Sequence, residues 1–365
     1  MNKIHIDFLN LRAKVETSLH RSYIISFIDK KDGRVISSKT SSGEWVEAVK
    51  TGYTDWRILI RDAKSGEELP FDFDLKGKRV SIINESPALG DLISWIPAID
   101  LFQKKHECIV DFYTPCKFLF LGSYPNINLL DYNAPKEYEY YVSYGIGYFE
   151  SPGELSKRDQ CLQKTAFDIL GLDYKETQPI ISPSLLSSYN PTQKYVCIAM
   201  ASTSGSKHWQ RENGWQDVTN YLIKSGYKVV CIQKEDPDYQ DLKVIKGVEY
   251  VTPSLGDCIP WIQNCDFFIG VSSGLSWLAW GVGVKTILIS GFTDPSLEFD
   301  SPYRVINTDV CHGCWTEHKL DKNDWEWCPK HKGTPRQFEC SKEISFEMVK
   351  EKIDDLIKKN NSSLL

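Results

Sequence analysis

The sequence predicts an α/β protein with two Rossmann-like lobes that face each other across a cleft. Two series of short apolar runs, one from Lys78 and one from Lys194, alternate with helical patterns of roughly 10 to 16 residues, and such alternation is typical of parallel sheets. A β-rich pattern precedes the first series, and four clustered cysteines follow the second. We therefore predict a β-rich N-terminal domain (1–77), a first lobe (78–190) and a second lobe (191–365) that includes a cysteine finger (311–340).

The composition is that of a globular protein. The chain has 365 residues, of which 41% are hydrophobic and 25% are charged. Its net charge of −6 argues against a nucleic-acid-binding protein, which usually presents a basic face. No stretch approaches the roughly 18 apolar residues of a membrane span, and the first residues lack the apolar run of a signal peptide. We therefore expect a cytoplasmic protein whose 11 cysteines are not joined in a disulfide framework.

The N-terminal pattern predicts antiparallel strands. The runs "SYIISFID" and "RVISSK" alternate apolar and polar residues on either side of Asp32-Gly33, a dipeptide that favours a hairpin turn. The run "WRILIRD" repeats the alternation. Because no residue here stands out for chemistry, we interpret this domain as a docking or assembly module.

The first lobe carries one candidate catalytic residue. The strand-like run "KRVSIINE" is followed by the loop "SPALG" and by a helical pattern that starts at Asp91. Because Gly90 lets the backbone turn, we expect Asp91 at the carboxyl edge of a parallel sheet, where ligands bind in open α/β folds. Spacing alone favours a helix-capping role, in which Asp91 stabilises the helix dipole by roughly 0.3–1 kcal/mol, over the alternative that Asp91 is catalytic.

The second lobe carries two segments suited to an anion. In "ASTSGSKHW" (201–209) hydroxyls, a glycine and Lys207 follow a strand-like run, and they could bind an anionic group, although a solvated loop is the alternative. In "GVSSGLSWLAWG" (270–281) a second strand-like run leads into a helix whose free N–H groups could bind an anion. The predicted ligand contacts are Gly90, Ser202, Thr203, Lys207, Gln233, Lys234, Glu235, Ser272, Ser273, Gly274, Leu275 and Ser276.

The four clustered cysteines predict a structural metal site. Cys311 and Cys314 have C-x2-C spacing, and Cys328 and Cys340 follow within the same segment. Four thiols so close in a reducing compartment favour a tetrahedral site over unliganded thiols. Such a site suits zinc or iron, and the residues do not separate the two. Because four protein ligands leave no open position, we expect a metal that stabilises the segment and takes no part in catalysis.

These segments resemble a known family. "LGDLISWIPAIDLFQKKH" is similar to the heptosyltransferase signature in which Gly-Asp opens a helix, and "STSGSKHW" resembles the donor loop of the same family. "GVSSGLSW" and "TILISGFTDPS" are similar to its C-terminal motifs, although the lipopolysaccharide-core enzymes usually have Asp at the position of Ser272. With that departure, the β-rich N-terminal domain and the late cysteines, residues 78–345 resemble the autotransporter O-heptosyltransferases.

The resemblance implies a GT-B glycosyltransferase that transfers heptose from ADP-heptose to Ser or Thr hydroxyls of an autotransporter adhesin passenger, with inversion. It implies that Asp91 is the general base, and that Lys207 and the Ser272–Ser276 helix end stabilise the departing ADP. It also implies a homo-oligomer, a dodecamer by resemblance, and one structural iron (Fe3+) per chain, with zinc as the alternative, held by Cys311, Cys314, Cys328 and Cys340. Two other interpretations remain open: a lipopolysaccharide-core heptosyltransferase with a lipid-linked acceptor, and a non-catalytic scaffold whose finger binds protein.

Overall fold

The computed structural model describes residues 3–16, 21–49, 52–148, 160–186, 193–235, 242–251, 253–318, 321 and 323–362. Within these ranges, no helix is both long enough and apolar enough to span a membrane. The predicted boundary between the lobes at 190–191 lies outside the described residues.

The described N-terminal residues form two antiparallel sheets. In the central strand β3, the side chains of Tyr23, Ile25 and Phe27 are buried while their neighbours are partly exposed, which is the two-residue period of a half-buried strand. Gly33 adopts a φ of +73° in the turn between β3 and β4, as the hairpin signal predicts. One sheet has the order β1 (Lys3–Asp7), β2 (Arg12–Glu16), β5 (Val46–Glu47), and the other β4 (Arg34–Ser41), β3 (Tyr23–Asp29), β6 (Trp56–Asp62), β7 (Glu68–Asp72).

The first lobe is built on a parallel sheet. Its strand order is β10 (Ile127–Asp131), β9 (Ile109–Thr114), β8 (Arg79–Asn84), β11 (Val142–Ile146). Helix α1 (Leu89–His106) connects β8 to β9 and buries nearly all of its first three turns, and α2 (Leu162–Ile169) packs against it. Because α1 begins two residues earlier than the helical pattern predicts, Asp91 lies in its first turn.

The second lobe is built on a larger parallel sheet. Its strand order is β14 (Val248–Val251), β13 (Lys228–Ile232), β12 (Tyr195–Ala199), β15 (Phe268–Val271), β16 (Thr286–Ile289), β17 (Arg304–Val305). This is the doubly wound order. Strands are added outward in one direction from β12 to β14 and in the other direction from β15 to β17, and ligands in such sheets bind at the switch point between β12 and β15. The associated helices are α3 (Gly214–Lys224), α4 (Leu255–Gln263) and α5 (Gly274–Gly281). The predicted α/β architecture with parallel sheets is confirmed.

The remaining helices complete the second lobe. Helix α8 (Phe346–Ser362) contributes Val349, Ile353 and Leu356 to the core of this lobe. The cysteine segment contains the short helices α6 (Cys314–Glu317) and α7 (Glu339–Lys342). A small apolar cluster of Phe292, Cys314 and Trp327 joins this segment to the loop after β16.

Candidate active site

Two glycines bring the starts of α1 and α5 into direct contact. A Cβ atom added at Gly274 would lie 2.8 Å from Cβ of Leu89, and one added at Gly90 would lie 3.1 Å from Cδ1 of Trp277. Neither position has room for a side chain without displacing its neighbour. The first turns of a first-lobe helix and a second-lobe helix therefore meet at the bottom of the cleft, each with free backbone N–H groups.

Asp91 is held in place at this junction by hydroxyl groups. Its side chain is buried, with 7% of the residue exposed. Ser86 Oγ donates a hydrogen bond to Oδ2 of Asp91, and the Tyr148 hydroxyl donates to Oδ1 at 3.2 Å. The N-cap of α1 is Ala88, without a side-chain cap, so Asp91 is not the capping residue. A carboxylate fixed in this way at a sheet edge is suited to accept a proton.

The loop after β12 folds around a buried imidazole. The backbone N–H of Ser202 donates to Nε2 of His208 at 3.0 Å. Burial lowers the pKa of His208 to about 4, although the Ser202 carbonyl oxygen, 3.3 Å from Nε2, favours the charged form, so the ring is neutral near pH 7. The hydroxyls of Ser204 and Ser206 are 2.7 Å apart and satisfy each other, while Thr203 is exposed. The loop is therefore an ordered turn, held by hydrogen bonds among its own residues, and it contains Lys207.

Lys207 brings the two predicted halves of the site together. Burial lowers the pKa of its ammonium, and the carboxylates of Glu298 and Asp91 act in the opposite direction. Its Nζ also lies 5.2 Å from the ring centroid of Trp315. The charge of a first-lobe carboxylate thus acts on a cation of the second lobe.

The residues at the start of α5 have different environments. The hydroxyl of Ser273, the N-cap, is buried and has no hydrogen-bond partner among the described residues. Ser272 donates to the carboxylate of Glu298 at 2.5 Å. Ser276 donates to the carbonyl of Val271 at 2.7 Å, inside the helix turn. Within the predicted segment, the Ser273 hydroxyl and the first amides of α5 are therefore the groups best placed to bind an anion.

The predicted residues Gln233, Lys234 and Glu235 follow β13, the strand beside β12, and so lie along the same carboxyl edge. Gln233 is buried, and its Nε2 donates to the carbonyl of Glu235 at 3.2 Å. Lys234 is exposed, and Glu235 is partly exposed. This arrangement gives the edge a structured turn with one charged side chain free to reach the solvent.

The comparisons with known proteins agree with this geometry. A model of glycosyltransferase family 9 (heptosyltransferase) matches residues 158–328. The autotransporter heptosyltransferase Aah of Escherichia coli is 35% identical over 343 residues, which cover 89% of this chain and 86% of Aah. The chain belongs to the autotransporter heptosyltransferase family. The crystal structure of one member, the dodecameric iron-containing heptosyltransferase TibC of Escherichia coli in complex with ADP-D-beta-D-heptose, matches with a TM-score of 0.88 and 29% identity, covering 98% of this chain and 96% of TibC.

A further relative shows that the family also contains an inactive protein. BimC of Burkholderia thailandensis, an inactive autotransporter heptosyltransferase, is 35% identical over 298 residues, which cover 77% of this chain and 69% of BimC. Family membership alone therefore does not establish activity. The geometry of Asp91 and Lys207 has to support it.

The cysteine segment of this family member lies against the loop after β12 that contains Gly205 and His208. A Cβ atom added at Gly205 would lie 2.7 Å from the backbone oxygen of Trp325, and the Trp325 ring packs edge-on against His208 at 4.9 Å. Ser341, next to Cys340, donates to the carbonyl of His208 and accepts from the N–H of Gln210 at 2.7 Å. The segment therefore forms one wall of the site.

The predicted metal ligands are close together but do not form a ligand shell. Among the described residues, no group of three or more His, Cys, Asp or Glu side chains is arranged to hold a metal ion. The Sγ atoms of Cys311 and Cys314 are 4.0 Å apart, and two ligands of a tetrahedral ion bound at 2.3 Å are expected about 3.8 Å apart. The pKa of the Cys340 thiol is raised to about 12 by burial and by the other three cysteines. The four-thiol donor set suits one zinc or iron ion, although the structure does not show the finger as a metal site.

Three contributors to the site were missed by the sequence analysis. Glu298 lies just after the segment "TILISGFTDPS" and Arg304 further along the chain, and their positions become meaningful only because β15, β16 and β17 are neighbours. Trp325 was likewise treated as part of the finger alone. A tryptophan-rich segment beside four cysteines is a signal for packing against another surface, but it does not identify that surface.

Proposed function

We propose that this chain transfers heptose from ADP-heptose to Ser or Thr hydroxyls of an autotransporter adhesin passenger. The observation that carries the proposal is the contact between the starts of α1 and α5, which brings the carboxylate of Asp91 close enough to act on the charge of Lys207. An inverting transfer needs a base on one side of the anomeric carbon and a cation on the other. The name of Aah and the ADP-heptose complex of TibC support the donor and acceptor classes.

In this mechanism Asp91 acts as the general base. The acceptor hydroxyl gives its proton to the Asp91 carboxylate while its oxygen forms a bond to the anomeric carbon. The bond from that carbon to the diphosphate breaks at the opposite face, and the electron pair leaves with ADP. The hydrogen bonds from Ser86 and Tyr148 would hold the carboxylate in position for this proton transfer.

The second lobe would hold the donor. Negative charge develops on the leaving diphosphate, and Lys207, the Ser273 hydroxyl and the first amides of α5 would stabilise it. The other predicted contacts, Gly90, Ser202, Thr203 and Gln233–Glu235, would line the same edge. Because Ser272 is bonded to Glu298, we assign it a supporting role and not a direct contact with the phosphates.

We also propose that Cys311, Cys314, Cys328 and Cys340 hold one iron ion (Fe3+), as the iron in TibC suggests. Iron would supply a cross-link between the ends of the segment that packs on the donor loop. Metal analysis of the purified protein should give about one iron per chain, and Cys328→Ser should lose it. Zinc in that measurement would support the alternative metal, and neither metal would refute the site.

The acceptor class has a direct test. We expect intact mass spectrometry of a co-expressed passenger to show additions of about 192 Da, one per transferred heptose residue, and Asp91→Ala to abolish them. An unmodified passenger, together with a modified lipid-linked sugar, would favour the lipopolysaccharide-core alternative. An enzyme that binds ADP but modifies neither acceptor would favour the scaffold interpretation, for which BimC is a precedent.

The same proposal extends to assembly and location. TibC is dodecameric, and we propose a dodecamer for this chain, with the N-terminal β-rich domain as the docking module. A repetitive acceptor bound by many linked sites would be modified with high avidity. We place the enzyme in the cytoplasm, where the acceptor is made and the donor is available. A monomeric mass in light scattering would refute the assembly.

A further inference from the structure

Glu298 is a buried carboxylate that the reaction described above does not use. It lies in the loop after β16, and 7% of the residue is exposed. Its Oε2 accepts from Arg304 Nη1 at 2.7 Å and lies 3.4 Å from Ser290 Oγ. Its Oε1 accepts from Ser272 Oγ at 2.5 Å. Every acceptor atom is therefore occupied by a donor from β15, β16 or β17 or the loops that follow them.

The hydrogen bonds of this cluster run in one direction toward Glu298. Ser272 Oγ lies 3.0 Å from Thr293 Oγ1 and donates to Glu298, so Ser272 accepts from Thr293. Arg304 also donates to the carbonyl of Phe299 at 2.9 Å, which fixes the guanidinium. Ser272 immediately precedes Ser273, the N-cap of α5. The carboxylate thus determines how the chain turns from β15 into the helix whose amides face the cleft.

The same carboxylate acts on the cation of the site. Of the two carboxylates that favour the charged form of Lys207, Glu298 has the larger effect and Asp91 the smaller. Both carboxylates act on the Lys207 ammonium through their charge, and its Nζ lies 5.2 Å from the ring centroid of Trp315. Glu298 therefore acts on this side of the site through a direct hydrogen bond to Ser272 and through its charge on Lys207.

We propose that Glu298, oriented by Arg304, is a positioning residue that sets the geometry of the donor site through Ser272 and Lys207. This inference rests on the proposed function, because it concerns the binding of ADP in that cleft. A buried ion pair is by itself weak evidence of stabilisation, since an apolar pair of similar size often replaces it without loss. The hydrogen bond to Ser272, next to the N-cap of α5, distinguishes Glu298 from an ordinary structural pair.

The test moves the negative charge from Glu298 to its hydrogen-bond partner Ser272. In Ser272→Asp a second carboxylate would stand next to Glu298, and the repulsion should weaken ADP binding. In Glu298→Gln the charge is lost, and ADP binding should also weaken, by about tenfold or more. The double variant Ser272→Asp/Glu298→Gln again has one negative charge beside Arg304 and Lys207. We expect the double variant to bind ADP within about threefold of the wild type, because the interaction energy between contacting residues is large enough to offset a tenfold loss of affinity.

A second buried pair supplies the matched control. Asp111 is 1% exposed and accepts from Arg79 Nη1 at 2.8 Å, near the start of β9 and away from the carboxyl edge. Asp111→Asn should lower the thermal midpoint about as much as Glu298→Gln but leave the ADP affinity within about twofold of the wild type. Titration calorimetry with ADP on the full-length protein measures the affinity, and circular dichroism measures the midpoint.

The outcomes separate this inference from the proposed function. If the wild type binds ADP and folded Glu298→Gln binds it equally well, or if the losses of the two single variants simply add in the double variant, the positioning role is refuted while the proposed function stands. If the wild type binds no ADP, both fail. If Glu298→Gln does not fold, the double variant Glu298→Gln/Arg304→Met removes the ion pair without leaving a buried charge. We expect this variant to fold and to bind ADP more weakly than the wild type.

Discussion

Replacing Asp91 by Asn tests the central assignment with a nearly isosteric change. The amide keeps one oxygen that can accept from Ser86 or Tyr148, so the side chain should stay in place. It cannot take a proton from an acceptor hydroxyl. Because general-base catalysis contributes about 10²- to 10⁴-fold, we expect kcat for heptose transfer to fall by about that factor.

Binding of the donor should respond very differently. Asp91 is the smaller of the two carboxylate influences on Lys207, and its removal takes no direct contact from the predicted phosphate site. We therefore expect the Kd for ADP to change by no more than about threefold, which corresponds to about 0.6 kcal/mol. Stability should fall by about 1–3 kcal/mol, because the amide NH2 group meets a hydroxyl that prefers an acceptor.

The assay combines single-turnover transfer to the passenger with calorimetry of ADP binding. Tyr148→Phe is the control, since it removes one orienting hydrogen bond, worth about 1 kcal/mol, and keeps the carboxylate. That variant should lose about fivefold in kcat, far less than Asp91→Asn. An Asp91→Asn enzyme with more than a tenth of wild-type kcat would show that Asp91 is not the base. A large loss of ADP affinity would show that its role is structural.

Three further predictions follow from the same contacts. Lys207→Met should weaken ADP binding by about 1.5–3 kcal/mol, the value of a charge-assisted hydrogen bond. The control Lys224→Met, at the exposed end of α3, should leave the calorimetric Kd unchanged. Equal affinities in the two variants would contradict a role of Lys207 in binding ADP. Gly274→Ala should lower stability by about 1–3 kcal/mol because its Cβ would meet Leu89 at 2.8 Å. Gly256→Ala in α4, whose nearest neighbours would be 3.7 Å away, should raise stability by about 0.5–1 kcal/mol in denaturant unfolding, and a reversed order of the two would be evidence against a tight helix contact. The unfolded chain takes up a proton on His208 below pH 6.5 while the folded chain resists protonation down to a pKa of about 4, so stability should fall as pH drops through this window. At pH 5 the loss from His208 should be about 2 kcal/mol, and His208→Gln should show a correspondingly shallower dependence of the thermal midpoint on pH; an unchanged dependence would mean that His208 is not the group responsible.

The sequence was sufficient for the elements and for the edge on which the site is built. Alternating strand and helix patterns locate each parallel sheet, and the carboxyl edge follows from the order of strand, loop and helix. Asp91 and Lys207 stand out in the sequence because each lies in a segment of small residues that follows a strand. Their meeting could not be derived from either segment, since it depends on how the two lobes pack.

The packing between the lobes depends on atoms that a sequence pattern does not weigh. Gly90 could be assigned to a turn and Gly274 to a helix start, but the structure shows that both are needed because another helix passes within 3.3 Å of the Cβ that Gly274 lacks. Glu298 was missed for a similar reason. An isolated acidic residue in a loop resembles a solvated side chain until neighbouring strands place Arg304 and Ser272 around it.

The cysteine segment connects the metal prediction to the donor site. Its backbone lies so close to Gly205 and Gly291 that a Cβ atom at Gly291 would come within 2.0 Å of the Cys340 carbonyl oxygen. The donor loop and the loop after β16 therefore pack directly on this segment, with no space for independent movement. A metal that holds the cysteine segment in place would also hold Lys207 in place, since Trp315 lies beside the Lys207 ammonium and Trp325 packs against His208. An ion that takes no part in the chemistry could in this way control the affinity for ADP. Chelation should therefore weaken ADP binding in Asp91→Asn as well, where transfer is slowed by about 10²- to 10⁴-fold; an affinity that is independent of the metal would show that the wall of the site holds its shape without it.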